Sequence, residues 1–512
     1  MGEHNLAELA DAALARHGDR EALLFEGTWH RSRELAERSR RIATGLIAEG
    51  VGPGDRVAVF MANCVEVGIV YTAIWRAGAA VTPIIFLVTA AELRHVLSDS
   101  GAVALVTTPE LLATAIEATA HVPGVRCTVV AGGTGTELAA PGTLRVVSLA
   151  ALEMREPLEA NVPREDGDLA ALLYTGGTTG RAKGVMLSHA NLWLSGEAAV
   201  RSGHVPGINR SLVPLPLSHV YGLIVTVVGM HAPEPGISVL MRWFDPGEWL
   251  RLIAEHRIQI STLVPSMLQM LLSQPLEDHD LSSLRHVVSG AAPLAAEVRE
   301  EFERRVPGVE VLEAYGCTES TAIATSNRPG LRRAGTVGLP QPGIEVRILD
   351  DDGNELPGGE DGEVCLRSAG IMLGYWNSPE ATANTLVDGW LRTGDIGHVD
   401  GDGFVSIVDR KKDLIIRGGF NVYPRDVEDV LLTHHAVAAA GVIGRPHPRV
   451  GEEVVAFVEL RPGEAVTAEE LVAHARERLA ATKYPREVHI VERVPLTAVG
   501  KTDRKALRSL AV

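Results

Sequence analysis

Short apolar segments alternate with amphipathic segments from Leu6 to about Asp400, and this alternation limits the fold more than any other feature. The apolar segments are rich in β-branched residues and span 56–60, 104–107, 129–130 and 260–264. Helical patterns such as 90–98 and 295–305 lie between them. Strands separated by amphipathic helices are typical of largely parallel sheets. We therefore predict an α/β fold with stacked, mostly parallel sheets.

The pattern changes twice towards the C-terminus. From Gly338, strand-like segments separated by Asp-Gly and Pro-Gly turns predict antiparallel hairpins in a small barrel-like part. After Asp409, strand patterns at 442–443, 454–458 and 488–491 flank a capping box, Thr467 to Glu470, which opens a helix. A chain of 512 residues is expected to hold more than one core. We predict three parts: a large N-terminal domain over 1–408, a charged hinge over 409–413, and a small, mobile α+β domain over 414–512.

Charge and composition exclude several function classes. The net charge of −17 and an aromatic content of 4% are unsuited to nucleic-acid binding. Four widely spaced cysteines predict neither a zinc cluster nor a disulfide framework, and fit a reducing cytoplasm. The N-terminus lacks a signal-peptide pattern, and no apolar run reaches the ~18 residues of a membrane span. We expect a cytoplasmic protein with small-molecule partners and no integral membrane association; a homo-oligomer stays open.

The most informative motif is the loop Tyr174-Thr-Gly-Gly-Thr-Thr-Gly-Arg-Ala-Lys-Gly184. Apolar residues precede and follow it, so it is predicted to join two strands, with Ser188 capping a helix that starts at Asn191. Its glycines allow close backbone approach to phosphate oxygens, and its hydroxyls and lysine can bind them. A Walker loop requires Gly-Lys-Ser or Gly-Lys-Thr, whereas Lys183 in this loop lies between Ala182 and Gly184. The predicted phosphate contacts are Thr175, Gly176, Gly177, Thr178, Thr179, Gly180 and Lys183, and the alternative is a surface turn of small residues.

Four further motifs follow this loop along the chain. They are Glu313-Ala-Tyr-Gly-Cys-Thr-Glu319, Trp390-Leu-Arg-Thr-Gly-Asp395, the segment 409–419 and Pro495-Leu-Thr-Ala-Val-Gly-Lys501. With these motifs in this order, the chain resembles the adenylate-forming superfamily of acyl-CoA synthetases, aryl-CoA ligases, peptide-synthetase adenylation domains and firefly luciferase. The resemblance covers nearly the whole length. Gly176 and Ala182 depart from the family's usual Ser and Pro, and neither departure removes a group that the chemistry requires.

The resemblance implies that ATP activates a carboxylate by forming an acyl-adenylate. Such a transfer depends mainly on positioning and charge stabilisation. By resemblance, Thr318 contacts the α-phosphate, Glu319 holds Mg²⁺ and Lys501 is the main catalytic residue, reaching the carboxylate and α-phosphate together. The remaining nucleotide contacts are implied for Gly290 and Ala291 at the adenine, Glu313, Ala314, Tyr315 and Gly316 beside the base, and Asp395 and Arg410 at the ribose.

In the CoA-ligase branch, the small domain rotates before the second half-reaction. The resemblance implies a hinge at Lys412, and a CoA tunnel lined by Gly418 and Gly419. It also suggests that His219 positions the acid. The alternative is a core histidine whose hydrogen bonds are satisfied within the protein. Trp243 is a further candidate for the wall of the acyl pocket.

Three functions remain open from the sequence. The leading one is a ligase that joins CoA to a fatty acid of medium or long chain, with ATP, Mg²⁺ and CoA as cofactors. The second changes the acid or the acceptor, to an aryl or amino-substituted acid, another oxyanion, or a carrier-protein thiol. The third is a catalytically inactive relative, which the presence of Glu319, Asp395 and Lys501 opposes.

Overall fold

The computed structural model describes residues 2–132, 145–175, 182–497 and 501–510. Two large sheets, an antiparallel half-barrel and a separate C-terminal domain make up the chain. The predicted α/β fold is therefore confirmed. None of the helices described in these ranges is long and apolar enough to cross a membrane.

The first large sheet has nine strands. Its six central strands are parallel, and the strands at the edges are antiparallel. In spatial order the strands are Leu339–Pro340, Thr325–Ser326, Glu310–Tyr315, His286–Ser289, Ile260–Leu263, Arg210–Val213, Ile237–Leu240, Glu21–Phe25 and Thr28–Arg31.

The second large sheet has eight strands, of which six are parallel. In spatial order they are Gly374–Tyr375, Lys183–Ser188, Leu169–Thr175, Ala80–Ile84, Arg56–Phe60, Ala104–Thr107, Cys127–Val130 and Arg145–Ser148. Leu169–Thr175 and Lys183–Ser188 are antiparallel neighbours, so the glycine- and threonine-rich loop joins two strands as predicted.

The half-barrel is antiparallel throughout, which confirms the hairpins predicted after Gly338. Its strands are Glu345–Leu349, Gly362–Arg367, Trp390–Val399, Leu386–Val387 and Val405–Arg410. The last strand continues to Arg410, which pairs with Asp395, so Asp409 and Arg410 are strand residues. The hinge proposed over 409–413 and its mobility stay predictions.

The C-terminal domain has its own sheet and its own apolar core. The strands are Phe420–Val422, Ile415–Arg417, Gly451–Leu460, Val437–His447 and Glu487–Val491, the last pairing in parallel with Gly451–Leu460. Val427, Leu431, Val454 and Leu471 lie at the centre of the core. The predicted strands and the capping box of Thr467 and Glu470 are present.

Helices connect and cover these sheets. The α-helices are Leu6–His17, Ser32–Ala48, Val65–Arg76, Ala90–Ser100, Leu112–Thr119, Leu149–Glu153, His189–Gly203, Val220–His231, Pro246–His256, Pro265–Leu272, Ala296–Arg305, Pro379–Thr385, Pro424–Leu432, Ala468–Arg478 and Arg504–Leu510. Short 3₁₀ turns span Pro109–Leu111, Leu276–Asp278 and Thr318–Ser320. Ser188 caps its helix as predicted by accepting from the Asn191 amide, but the helix begins two residues earlier, at His189. The reason is that a capping oxygen usually bonds the third helical residue.

The largest apolar cluster draws residues from both large sheets and from the helices between them. Two polar side chains inside it fix the segment that leads to His219. Asn63 donates to the Leu215 carbonyl at 2.8 Å and accepts from the Leu217 amide at 2.8 Å, and the Tyr71 hydroxyl donates to the Leu217 carbonyl at 3.1 Å. These three hydrogen bonds satisfy the buried carbonyl groups of Leu215 and Leu217 and the Leu217 amide, and so fix the backbone of the segment.

The turn after strand Glu310–Tyr315 is unusually tight. A Cβ at Gly316 would lie 1.8 Å from the Ala322 carbonyl oxygen, so only glycine fits there. Thr321 and Ala322 have φ values of 56° and 79°, a region that residues other than glycine rarely adopt. Strained backbone of this kind persists only where neighbouring contacts hold it in place. Here the strained residues closely follow Thr318 and Glu319 in the chain.

Candidate active site

A cavity of about 2200 Å³ lies between the large sheets, the half-barrel and the C-terminal domain. It brings together most of the site residues that the sequence predicts. Those that line it are Thr175, Lys183, His219, Gly290, Ala291, Glu313, Ala314, Tyr315, Gly316, Thr318, Glu319, Asp395, Arg410, Lys412 and Lys501.

Asp395 is a buried carboxylate with two side-chain partners. The Tyr315 hydroxyl donates to its Oδ2 at 2.6 Å, and the Arg410 Nε lies 3.1 Å from its Oδ1. Burial, followed by the charge of Asp395, raises the pKa of Tyr315 well above its usual value, so the phenol stays a donor. Each carboxylate oxygen can accept more than one hydrogen bond. Asp395 can therefore also receive two vicinal hydroxyl groups from a ligand.

Glu319 carries a carboxylate that faces the cavity. The Tyr375 hydroxyl donates to its Oε1 at 2.8 Å. Within the part of the chain that the structure describes, no lysine, arginine or histidine forms an ion pair with Glu319, whose carboxylate is bonded by the Tyr375 hydroxyl. An anionic oxygen ligand without a basic partner is suited to a hard divalent cation such as Mg²⁺, so this residue fits the predicted metal.

Gly290 and Ala291 line the cavity in a closely packed, strained segment. A Cβ at Gly290 would approach the Ala314 carbonyl oxygen to 3.3 Å and the Tyr221 ring to 3.4 Å. Ala291 has a φ of 70°, which is a strained conformation for a residue with a Cβ. Strain of this kind is often found at ligand sites, in agreement with the predicted adenine contacts.

Lys501 enters the cavity from the C-terminal domain. The backbone around it is fixed because its amide donates to Thr497 Oγ1 at 3.2 Å and its carbonyl accepts from the Thr497 amide at 2.7 Å. Burial, and then the charge of Arg410, lowers the pKa of Lys501, while the charges of Asp395 and Glu319 act in the opposite direction. This lysine is therefore within electrostatic reach of both carboxylates.

His219 caps helix Val220–His231, its Nδ1 accepting from the Tyr221 amide at 3.2 Å. Burial, and then the nearby charge of Lys501, lowers the pKa of His219 to about 4. The imidazole is therefore neutral at pH 7. It can orient a carboxylate by hydrogen bonding, but it adds no charge.

Three predicted residues do not line this cavity. Trp243 is 50% exposed and packs against Phe86 with ring centroids 5.9 Å apart. Gly418 and Gly419 form the turn between strands Ile415–Arg417 and Phe420–Val422, with φ values of 60° and 82°. Their roles at the acyl pocket and CoA tunnel stay predictions.

The two ends of the glycine- and threonine-rich loop are paired, since Thr175 and Lys183 are register partners. The predicted contacts Gly176, Gly177, Thr178, Thr179 and Gly180 lie outside the described residues.

Tyr375 is a site residue that sequence reasoning missed. Its only signal is an aromatic residue in Gly374-Tyr-Trp376, which does not indicate that it lies opposite Glu319.

Comparisons with known proteins agree with this geometry. Residues 10–376 match the family model described as AMP-binding enzyme, and residues 426–501 match the AMP-binding enzyme C-terminal domain. A long-chain-fatty-acid–CoA ligase of Bacillus subtilis (strain 168) is 35% identical, over 98% of this chain and 93% of that protein. A feruloyl-CoA synthase of Amycolatopsis sp is 36% identical, over 97% of this chain and 95% of that protein.

Solved structures give a similar result. The anthranilate CoA ligase AuaEII, in complex with anthranoyl-AMP, superposes with a TM-score of 0.91 at 28% identity, covering 99% of this chain and 97% of that one. The amide bond synthetase McbA from Marinactinospora thermotolerans has a TM-score of 0.87 at 32% identity, covering 99% of this chain and all of that one.

The lowered pKa of His219 predicts a pH-dependent loss of stability. Between its ordinary pKa of 6.5 and about 4, the unfolded chain binds a proton that the folded chain does not. The free energy of unfolding therefore falls as pH decreases through this window. In His219→Asn, which keeps a capping acceptor, the loss between pH 7 and pH 5 should be ~2 kcal/mol smaller.

Urea denaturation of both proteins at the two pH values measures this difference, with far-UV circular dichroism at pH 7 as a check on folding. Equal losses in the two proteins would contradict the lowered pKa.

Proposed function

This chain belongs to the AMP-binding enzyme family and is an AMP-forming acid–thiol ligase, and on that basis we propose that it adenylates a fatty acid of medium or long chain and transfers the acyl group to CoA. The observation that carries the proposal is the meeting of Glu319, Asp395 and Lys501 on one cavity. These three side chains come from the first sheet, the half-barrel and the C-terminal domain.

In the first half-reaction, a carboxylate oxygen of the acid attacks the α-phosphorus of ATP and pyrophosphate leaves. Asp395 accepts the ribose hydroxyls beside Arg410, and Tyr315 lies against the base. Thr318 and Lys501 stabilise charge that develops on the α-phosphate, where a fixed donor in a partly dry site is most effective. The neutral imidazole of His219 orients the acid.

Glu319 would hold Mg²⁺ through the carboxylate oxygen that Tyr375 does not occupy. When bound, the cation would offset the negative charge of the nucleotide phosphates. Lys183, at the end of the glycine- and threonine-rich loop, supplies a second positive charge on the same side of the cavity.

In the second half-reaction, the C-terminal domain rotates about Lys412. This rotation moves Lys501 out of the cavity and brings the hairpin of Gly418 and Gly419 to the acyl-adenylate. The CoA thiol then attacks the acyl carbon and AMP leaves. The hairpin lies outside the cavity while Lys501 lies inside it, which is the arrangement required for the first step. The alternative acceptor is a carrier-protein thiol.

The acid side of the cavity favours an uncharged tail. Val220 and Tyr221, which follow the neutral His219, contribute apolar lining, and Ile323 and Val337 contribute apolar lining elsewhere in the cavity. A second candidate is an aryl acid, because the chain is similar to a feruloyl-CoA synthase and to the anthranilate CoA ligase AuaEII. An amino-substituted acid or another oxyanion remains a further alternative.

The identity of the acid is tested by ATP–pyrophosphate exchange over a panel of octanoate, palmitate, benzoate, ferulate and anthranilate. We expect exchange with octanoate or palmitate in the absence of CoA, and thioester formation only after CoA is added. Exchange with the aromatic acids alone would replace the fatty acid by the aryl alternative. No exchange with any carboxylate would contradict adenylation of an acid.

Replacing Lys501 tests its catalytic role. Lys501→Ala should slow adenylation by ~10²–10³-fold, because one preorganised donor to the developing charge is lost. Lys505→Ala is the matched control, since this nearby lysine is exposed, and it should keep near-normal rates. A decrease of less than threefold for Lys501→Ala in single-turnover adenylate formation would rule out the assignment.

Replacing Gly419 in the hairpin tests whether the two half-reactions use different arrangements of the C-terminal domain. Gly419→Leu should abolish thioester formation while pyrophosphate exchange continues, because the side chain would fill the proposed tunnel. Gly463→Leu is the control, since Gly463 has a similar positive φ of 84° with open surroundings in the same domain. Equal loss of both half-reactions in Gly419→Leu, with both kept in the control, would refute the proposed division.

A further inference from the structure

Tyr375 lies between the glycine- and threonine-rich loop and Glu319. Its short strand, Gly374–Tyr375, pairs with the strand that begins at Lys183, and Tyr375 is the register partner of Val185. On either side, the Trp376 amide donates to the Gly184 carbonyl at 2.7 Å and the Leu373 amide to the Met186 carbonyl at 2.9 Å. The backbone of Tyr375 is therefore fixed to the second strand of the loop.

The same segment holds Glu319 at two points. The Met372 amide donates to the Glu319 carbonyl at 2.9 Å, and the Tyr375 hydroxyl donates to Glu319 Oε1 at 2.8 Å. A hydroxyl fixes the carboxylate without neutralising it, whereas a lysine or arginine would compete with a cation. The second oxygen of Glu319 is left for that cation.

The ring of Tyr375 contacts the other phosphate-side residue. The Lys183 Nζ lies 5.3 Å from the ring centroid, within the range of a cation–π interaction. One side chain therefore contacts both the carboxylate predicted to bind the metal and the lysine predicted to bind phosphate.

Further contacts make this position rigid. The Tyr375 amide donates to Thr382 Oγ1 at 2.9 Å, and the Trp376 indole donates to the Asp99 carbonyl at 2.9 Å. The Tyr174 hydroxyl donates to the Asp99 carboxylate at 2.6 Å, which ties the first strand of the loop to the same point.

We propose that Tyr375 is a positioning residue for the nucleotide phosphates: its hydroxyl aims the Glu319 carboxylate at the divalent cation, and its ring holds Lys183 beside the phosphates. The proposal rests on the proposed function, because it requires a cavity that binds ATP with a divalent cation. In this role Tyr375 acts through Glu319 and Lys183, the two residues that it contacts.

Two substitutions separate the roles of the hydroxyl and the ring. Tyr375→Phe removes only the hydroxyl, and Tyr375→Leu removes the ring as well. Tyr484→Phe is the control, since that ring lies under Arg486 in the C-terminal domain. The measurement is binding of a fluorescent ATP analogue, titrated with Mg²⁺ and also in its absence, without any acid present.

Tyr375→Phe should raise the Mg²⁺ concentration for half-maximal binding about tenfold, as expected for a lost hydrogen bond to a charged group. The affinity of Tyr375→Phe for the nucleotide in the absence of Mg²⁺ should stay within twofold of the wild-type affinity. Tyr375→Leu should show the same Mg²⁺ shift and bind the Mg²⁺-free nucleotide about three times more weakly.

The Mg²⁺ effect must also depend on Glu319. On a Glu319→Gln background, Tyr375→Phe should change half-saturation less than twofold, because the hydroxyl no longer has a charged acceptor. An unchanged Mg²⁺ dependence in Tyr375→Phe, or an undiminished effect on the Glu319→Gln background, would overturn the role of Tyr375. A wild-type chain that bound no nucleotide at any Mg²⁺ concentration would instead overturn the proposed function.

Discussion

Asp395 accepts a hydrogen bond from the Tyr315 hydroxyl and forms an ion pair with Arg410 at the point where the first sheet meets the half-barrel. A buried carboxylate without partners would be costly, so these two contacts fix the position of the strand that carries it. That strand pairs with the one ending at Arg410, after which the chain enters the C-terminal domain. The same contacts that satisfy the carboxylate therefore also hold the strand from which the chain continues into the C-terminal domain.

The cavity gathers opposite charges around this centre. Glu319 and Asp395 provide negative charge, and Arg410, Lys183 and Lys501 provide positive charge from three different parts of the fold. Burial and Arg410 lower the pKa of Lys501, which raises the benefit of bringing an anion to it. A triphosphate and a carboxylate can thus be held together although the chain has a net charge of −17.

The sequence was most informative where local patterns decide the structure. Alternation of strands and helices predicted the sheets, and a capping box predicted the helix at Ala468–Arg478. Ordered motifs identified Glu319, Asp395 and Lys501, because a resemblance links residues that are distant along the chain.

Tyr375 was missed, since its hydrogen bond to Glu319 spans 56 residues and depends on the pairing of a two-residue strand. Trp243 is half exposed and packs against Phe86, and its role at the acyl pocket stays a prediction. The strand of Arg410 also extends into the segment assigned to the hinge, because its register is set by Asp395 and not by its own composition.

The central claim is that an oxygen of the acid attacks the α-phosphorus of ATP in this cavity. Turnover of a carboxylate-¹⁸O acid, followed by phosphorus NMR of the products, tests this directly. One ¹⁸O atom should appear in each AMP formed and none in pyrophosphate. Label in pyrophosphate or inorganic phosphate, or unlabelled AMP from a fully labelled acid, would contradict it.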